Sequence, residues 1–188
     1  LWGKSTMFEE SSAVPLIMAG PEVPAGNTVS TLTSLVDSAP TIMECVGAKP
    51  ATAHATLPGR SLFEIADGAD SERTAFSEYH AAASMTGTFM LLDGNYKLVY
   101  FVGMEPELCD LDPDPDETRN LAPLPEIADV LARMTARLRV ICDPEDVDRR
   151  ARAEQAATIA KHGGREELLK RGDFGYSPAH GQKPEFSA

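Results

Sequence analysis

The 188-residue chain is short of cysteine, of basic charge and of long apolar runs, and each shortage removes a class of protein. Its three cysteines, Cys45, Cys109 and Cys142, are an odd number with no close pairing and no C-x-x-C spacing, which argues against a disulfide framework and against a zinc site. Buried, reduced thiols are the default for such residues. Only 17 Lys and Arg stand against 29 Asp and Glu, a formal net charge of −12. A surface this acidic repels nucleic acid and anionic membrane surfaces over most of its area, while leaving room for a local basic site that takes a small anion. The longest apolar run, Val14 to Ala19, is a strand's length and far from the roughly 18 residues of a membrane span. No internal repeat and no low-complexity segment is present.

The chain opens on Leu1, and Gly3-Lys4-Ser5-Thr6-Met7-Phe8-Glu9-Glu10 follows at once. A lysine ammonium is a compact point charge suited to an anionic oxygen, and Ser5 and Thr6 can donate hydrogen bonds to the same group. That set suits a sulfate or phosphate ester, although a lysine taken alone is more often a solvated surface group. Val14 to Ala19 then reads as a strand buried on both faces, as in a mostly parallel sheet covered by helices. After a Gly/Pro-rich loop, Val29, Leu32, Leu35 and Val36 have helical spacing. A second helix is expected from about Ser38, Pro40 and Thr41 through Val46. Ala75 to His80 reads as a short strand ending in polar groups. In open α/β sheets ligands gather at the carboxyl ends of strands, which makes His80 a second candidate beside the structural or surface role usual for a lone histidine.

The second half is easier to read. Thr88–Leu92 and Tyr96–Phe101 flank Asp93-Gly94-Asn95, a strong hairpin signal, and Glu107–Leu111 supplies a third short strand. Ile127, Leu131, Met134, Leu138 and Ile141 form one apolar stripe on a helix over 125–141, placed to pack across the small sheet. Asp110, Asp112, Asp114 and Asp116 alternate like the start of a calcium loop. Pro115 and Leu121 stand where an EF-hand needs Gly and Glu, so the reading is an acidic turn. Asp143-Pro144 reads as the start of a helix running to about His162 and stopping at Gly163-Gly164. Beyond it, Glu166 to Ala188 reads as an extended tail that must dock on something, which makes a homo-oligomer formed through helix and tail plausible.

Several of these residues fall in ordered motifs. Gly3, Lys4, Thr6, Glu9, Val14 and Pro15 match in register the G-K-x-T-x-x-E-x-x-x-R-V-P segment of sulfatases, with Ala13 in place of Arg. Val29-Ser30, Pro40-Thr41-Ile42-Met43 and Gly59-Arg60-Ser61-Leu62 resemble that family's V-S-x-x-D-x-x-P-T and G-x-S-L motifs, with Asp37 displaced relative to Ser30. Ser77-Glu78-Tyr79-His80 is similar to a segment of bacterial sulfatase-like hydrolases. Gly94, Tyr96-Lys97, Glu107-Leu108, Asp110-Leu111, Asp114-Pro115, Glu117 and Asn120-Leu121-Ala122 resemble the family's C-terminal hairpin and the turn after it.

The resemblance, to the sulfatase family of the alkaline phosphatase superfamily, implies an α/β fold. This would be the C-terminal part of an alkaline-phosphatase-like sandwich plus a small antiparallel β-sheet subdomain with a packed helix. The expected divisions are 1–83 for the end of the large domain, 84–142 for the small sheet and helix, and 143–188 for the last helix and docking tail. It implies a hydrolase of sulfate esters, or in sister families of phosphate or phosphonate esters. Lys4, Thr6 and His80 would contact the substrate, with Lys4 and His80 stabilising the transferring group and the leaving oxygen. The family's formylglycine nucleophile and divalent cation, usually calcium (Ca2+), would be held by sequence outside this chain, which contains no C-x-P-x-R or S-x-P-x-R. On that reading the chain is the C-terminal piece of a longer, cytoplasmic polypeptide, has no metal site of its own and is inactive alone. An acidic, non-catalytic binding or assembly module is the alternative from another class.

Overall fold

In the computed structural model the residues described are 6–48, 58–68, 72–81 and 84–170. The chain reverses at Gly94-Asn95, one residue later than the Asp-Gly signal placed the turn, because Asp93 is still paired with Tyr96. Gly94 takes φ 59°, a conformation that costs glycine nothing, at the first position of this two-residue turn. The turn joins β2 (Thr88–Asp93) to β3 (Tyr96–Phe101), and β4 (Glu107–Asp110) pairs with β3.

A fourth strand, β1 (Thr74–Tyr79), pairs antiparallel with β2 from Thr74↔Asp93 to Tyr79↔Thr88. The sheet therefore runs β1-β2-β3-β4, entirely antiparallel and in chain order, and begins at Thr74, ahead of the division expected between residues 83 and 84. This corrects the argument for His80 drawn from open α/β sheets: the residue follows an edge strand of an antiparallel meander, where no parallel-sheet crevice exists.

Strand alternation gives the sheet two covered faces. Phe89, Leu91, Leu98 and Leu108 are fully buried on one, where helix α4 (Ala128–Ile141) packs over β2 and β3 with Met134 and Leu138 also fully buried. The expected stripe is thus real at its centre, while Ile141 at its end is exposed. The other face carries Met90, Leu92, Val99 and Phe101, and Met7 from the start of the chain packs on it. Directly after Met7 comes α1 (Glu9–Ser12), one turn of helix.

Two expectations fail here. The segment 14–19 is extended but belongs to no sheet among the described residues, and Val14, Leu16 and Ile17 are exposed, Ile17 by 88%. Apolar on both faces, it has neither strand nor helix to cover it among those residues. Residues 29–34 are likewise not helical; the helix starts after Ser34, as a 3-10 turn at Leu35–Asp37 that continues into α2 (Ser38–Cys45). Ser34 and Asp37 close a capping box across that turn, and this fixes the start. Helix α3 (Leu62–Ala66) is capped by Ser61, whose Oγ accepts from the Phe63 N–H.

Residues 1–144 form one compact unit and 145–188 another. The second holds most of α5 (Pro144–Lys161), which begins directly after Asp143 as its Asp-Pro signal implies, and α6 (Arg165–Lys170). The latter corrects the reading of an extended tail from Glu166, at least as far as Lys170. Asp146 pairs with Arg149 and Arg150, and Asp148 with Arg152, at the helical spacings that bring side chains together. No described helix is long and apolar enough to cross a membrane.

Candidate functional site

Lys97 is the second residue of β3, between Leu92 and Cys109 on the neighbouring strands, and its side chain is 0% exposed. A lysine there needs compensating charge. It has two carboxylates: Nζ lies 2.8 Å from Glu9 Oε1 and 2.8 Å from Glu117 Oε1, with Ser12 Oγ at 3.4 Å. The second oxygen of Glu117 accepts the backbone N–H of Glu9 at 2.6 Å. Glu9 is thus held by both its side chain and its main chain. Glu117 itself adopts φ 51°, a left-handed conformation rare outside glycine. The turn before it enforces this, since Asp114 accepts from the Thr118 N–H and hydroxyl and from the Arg119 N–H. Those bonds, led by the Thr118 backbone bond, hold the Asp114 carboxyl below its ordinary range. The acidic turn expected from the sequence is therefore a scaffold for Glu117. Removing Lys97 would leave two neighbouring carboxylates uncompensated and cost about 3–5 kcal/mol.

The short helix after this anchor folds back on the segment before it. The Ser11 and Ser12 N–H groups donate to Phe8 O, the Ser12 hydroxyl lies 3.2 Å from Met7 O, and the Thr6 and Ser11 hydroxyls are 3.0 Å apart. Thr6, Met7 and Phe8 form one wall of a cavity of about 270 Å³, whose mainly apolar lining includes Val99, Phe101 and Met104. Of the three candidates, Thr6 therefore lies at this cavity, while Lys4 lies outside the described residues. His80 is elsewhere: its ring meets Phe89 edge-on at 5.3 Å, and Phe89 belongs to the α4 face of the sheet, whereas Met7 packs on the other. His80 Nε2 is 3.8 Å from the Glu78 carboxylate. The structure does not bring Thr6 and His80 together.

A second polar cluster went unnoticed in the sequence. Asp37, 0% exposed, accepts the Ser34 N–H at 2.7 Å, the Arg60 N–H at 2.8 Å and Arg73 Nη2 at 2.9 Å on both oxygens. Its main-chain carbonyl accepts the Thr41 hydroxyl, which in turn accepts the Leu62 N–H. The serine that belongs with this aspartate is thus Ser34, three residues before it, and the earlier choice of Ser30 is corrected. Arg60, Arg73 and Arg137 line a polar cavity of about 370 Å³. Arg73 is already committed to Asp37 and Arg137 to Asp93 at 2.7 Å, so most of its positive charge is matched.

Among the described residues no three His, Cys, Asp or Glu side chains converge to hold a metal ion. Cys109 is a poor nucleophile in this setting. Burial, and then the Glu117, Asp114 and Glu107 carboxylates, push its thiol from an ordinary 9.0 to about 11, with Lys97 pulling the other way.

Glu9, Lys97 and Glu117 come from three separate sequence motifs, and they meet in one ion cluster. A family model described as "N-sulphoglucosamine sulphohydrolase, C-terminal" matches residues 1–143. The chain belongs to this sulfatase family. Arylsulfatase K of Xenopus laevis is 31% identical over 153 residues, covering 74% of this chain and 28% of the relative. A choline-sulfatase of Rhizobium meliloti (strain 1021) is 36% identical over 126 residues, covering 66% and 24%. Among solved structures, the phosphonate monoester hydrolase from Silicibacter pomeroyi superposes with a TM-score of 0.61 at 28% identity, over 73% of this chain and 30% of that one. This sulfatase-family chain thus spans about a quarter of the length of the curated relatives it matches. The expected α/β architecture, with a small antiparallel sheet and a packed helix, is the one its structural relative shares.

Proposed function

We propose that the chain serves a sulfate-ester hydrolase whose nucleophile and divalent cation, calcium and formylglycine on the family resemblance, are supplied by polypeptide outside these 188 residues. The observation that carries the reading is the sequence motif Lys4-x-Thr6-x-x-Glu9, whose last residue joins a buried ion cluster, within a match that covers residues 1–143. In this role the Lys4 ammonium neutralises charge on the non-bridging oxygens of the ester, while the Thr6 hydroxyl, bonded to Ser11, holds the segment and does not touch the ester. His80 would donate a hydrogen bond to the leaving oxygen. The exposed segment 14–19 would find its pairing strands in the rest of the polypeptide, and without that polypeptide the chain would not turn over.

A phosphonate or phosphate ester is the second reading, favoured by the superposition on a phosphonate monoester hydrolase. The test is steady-state hydrolysis of 4-nitrophenyl sulfate and of a 4-nitrophenyl phosphonate monoester by the full-length protein and its Lys4→Ala and His80→Ala variants. Sulfate hydrolysis that falls about 100-fold or more in Lys4→Ala is expected, in line with the loss of one donor to a developing oxyanion. A larger loss in His80→Ala for poorer leaving groups is expected if His80 serves the leaving oxygen. Hydrolysis of the phosphonate alone would move the assignment to the second reading, and absence of both activities would remove it.

A further inference from the structure

Nothing in the Lys4 reading explains why a lysine is buried on β3, the second strand of the hairpin. A strand interior facing Met7, Met90 and Val99 would be filled more cheaply by an apolar side chain, because two carboxylates and an ammonium must all lose water to meet there. The cluster has what hydrophobic packing lacks, which is direction. Each bond in it ends on an atom of fixed position. Lys97 Nζ reaches Glu9 Oε1 at 2.8 Å, and the Glu117 carboxylate bridges Lys97 Nζ at 2.8 Å and the Glu9 N–H at 2.6 Å. Glu117 is set in turn by the Asp114 turn, with the Glu117 N–H donating to Asp114 O at 3.1 Å.

From this anchor the fixed geometry runs back towards Lys4. Met7 is buried against the sheet and Thr6 is tied to Ser11, and Lys4 stands two positions before Thr6 in the sequence. We infer that Glu9, Lys97 and Glu117 act as a positioning clamp, fixing the segment that presents Lys4 to the anionic group of the substrate. This rests on the Lys4 reading given above. The three are positioning residues: none lines the cavity at Thr6, and the Lys97 side chain is closed to solvent. Their effect on turnover is indirect, through the placement of Lys4, and an error of about 1 Å in such placement costs on the order of 100-fold in rate.

Glu9→Gln is the cleanest probe. It keeps the size of the side chain and the main-chain bond to Glu117, removes one of the two negative charges facing Lys97, and falls on a side chain that is one-third exposed. In the full-length protein, with 4-nitrophenyl sulfate as substrate, Glu9→Gln should retain a cooperative melt above the assay temperature while kcat falls tenfold or more. In a Lys4→Ala background, Glu9→Gln should change kcat/KM by less than twofold, because a clamp has nothing left to place. Lys97→Arg, which keeps the charge on a longer group, provides the second variant, and its kcat should lie between those of wild type and Lys97→Met. A folded Glu9→Gln within twofold of wild type overturns the inference while leaving the Lys4 reading intact. So does a tenfold loss that persists undiminished in Lys4→Ala, which would mark a general loss of structure. Full activity in Lys4→Ala itself refutes the Lys4 reading, and the clamp with it.

Discussion

Asp37→Ala is the substitution whose cost is best defined by the structure. The carboxylate is 0% exposed and accepts Arg73 Nη2 at 2.9 Å on both oxygens together with the Ser34 and Arg60 N–H groups. Alanine leaves the Arg73 guanidinium, itself only 11% exposed, without its counter-charge, and leaves two backbone donors without an acceptor. Breaking a buried pair from one side costs about 3–5 kcal/mol, and the orphaned N–H groups belong to the same loss and are not added to it. Arg73→Met should cost less, since the carboxylate keeps its two backbone donors. The double variant should cost less than the sum of the two, with a coupling of about 1–3 kcal/mol. Urea denaturation of the full-length protein gives the free energies, and hydrogen exchange at the Ser34, Arg60 and Leu62 amides shows whether the loss is local to this cluster. A value below about 1 kcal/mol for Asp37→Ala, or strict additivity, would refute the view that Asp37 organises these loops.

Gly59→Ala should destabilise by about 2 kcal/mol or more, because Gly59 holds φ +116° and a Cβ there would meet Val36 O at 2.5 Å; thermal melts of the full-length variant measure it, and an unchanged melting temperature would show that the loop shifts freely. Thiol labelling at neutral pH should modify exposed Cys45 quickly and Cys109 only at the rate of unfolding, as peptide mapping over time would show. Since the Cys109 proton is held more tightly folded than unfolded, the contribution of this thiol to stability should be constant below pH 9 and decline from about 9 to 11, where the unfolded thiol has ionised and the folded one has not. Cys109→Ala should remove that decline.

The hairpin, the third strand and the centre of the α4 stripe were legible because each is a local pattern: a turn residue with φ 59°, two β-rich flanks and a repeat of three and four residues. What the sequence hid was long-range. Lys97 reads as an ordinary exposed strand lysine until Glu9, 88 residues away, is brought to it. Arg73 precedes its strand with nothing to announce a bond to Asp37, 36 residues earlier. Apolar content alone could not tell a covered strand from segment 14–19, whose cover is absent among the described residues. Thr6 and His80 illustrate the same limit: ordered motifs named both, and alternation along β2 separates them across the sheet.

The sequential order of the sheet also has a kinetic meaning. Each strand pairs with its neighbour in the chain, across turns as short as two residues, so the meander assembles from low-separation contacts with little entropy of loop closure. The bond from Lys97 to Glu9, 88 residues apart in sequence, closes a far larger loop and so carries a larger entropy of closure than any pairing within the meander. On contact separation alone the sheet is expected to form first and to be the template on which Met7 and Glu9 then dock, the second of them drawn in by charge.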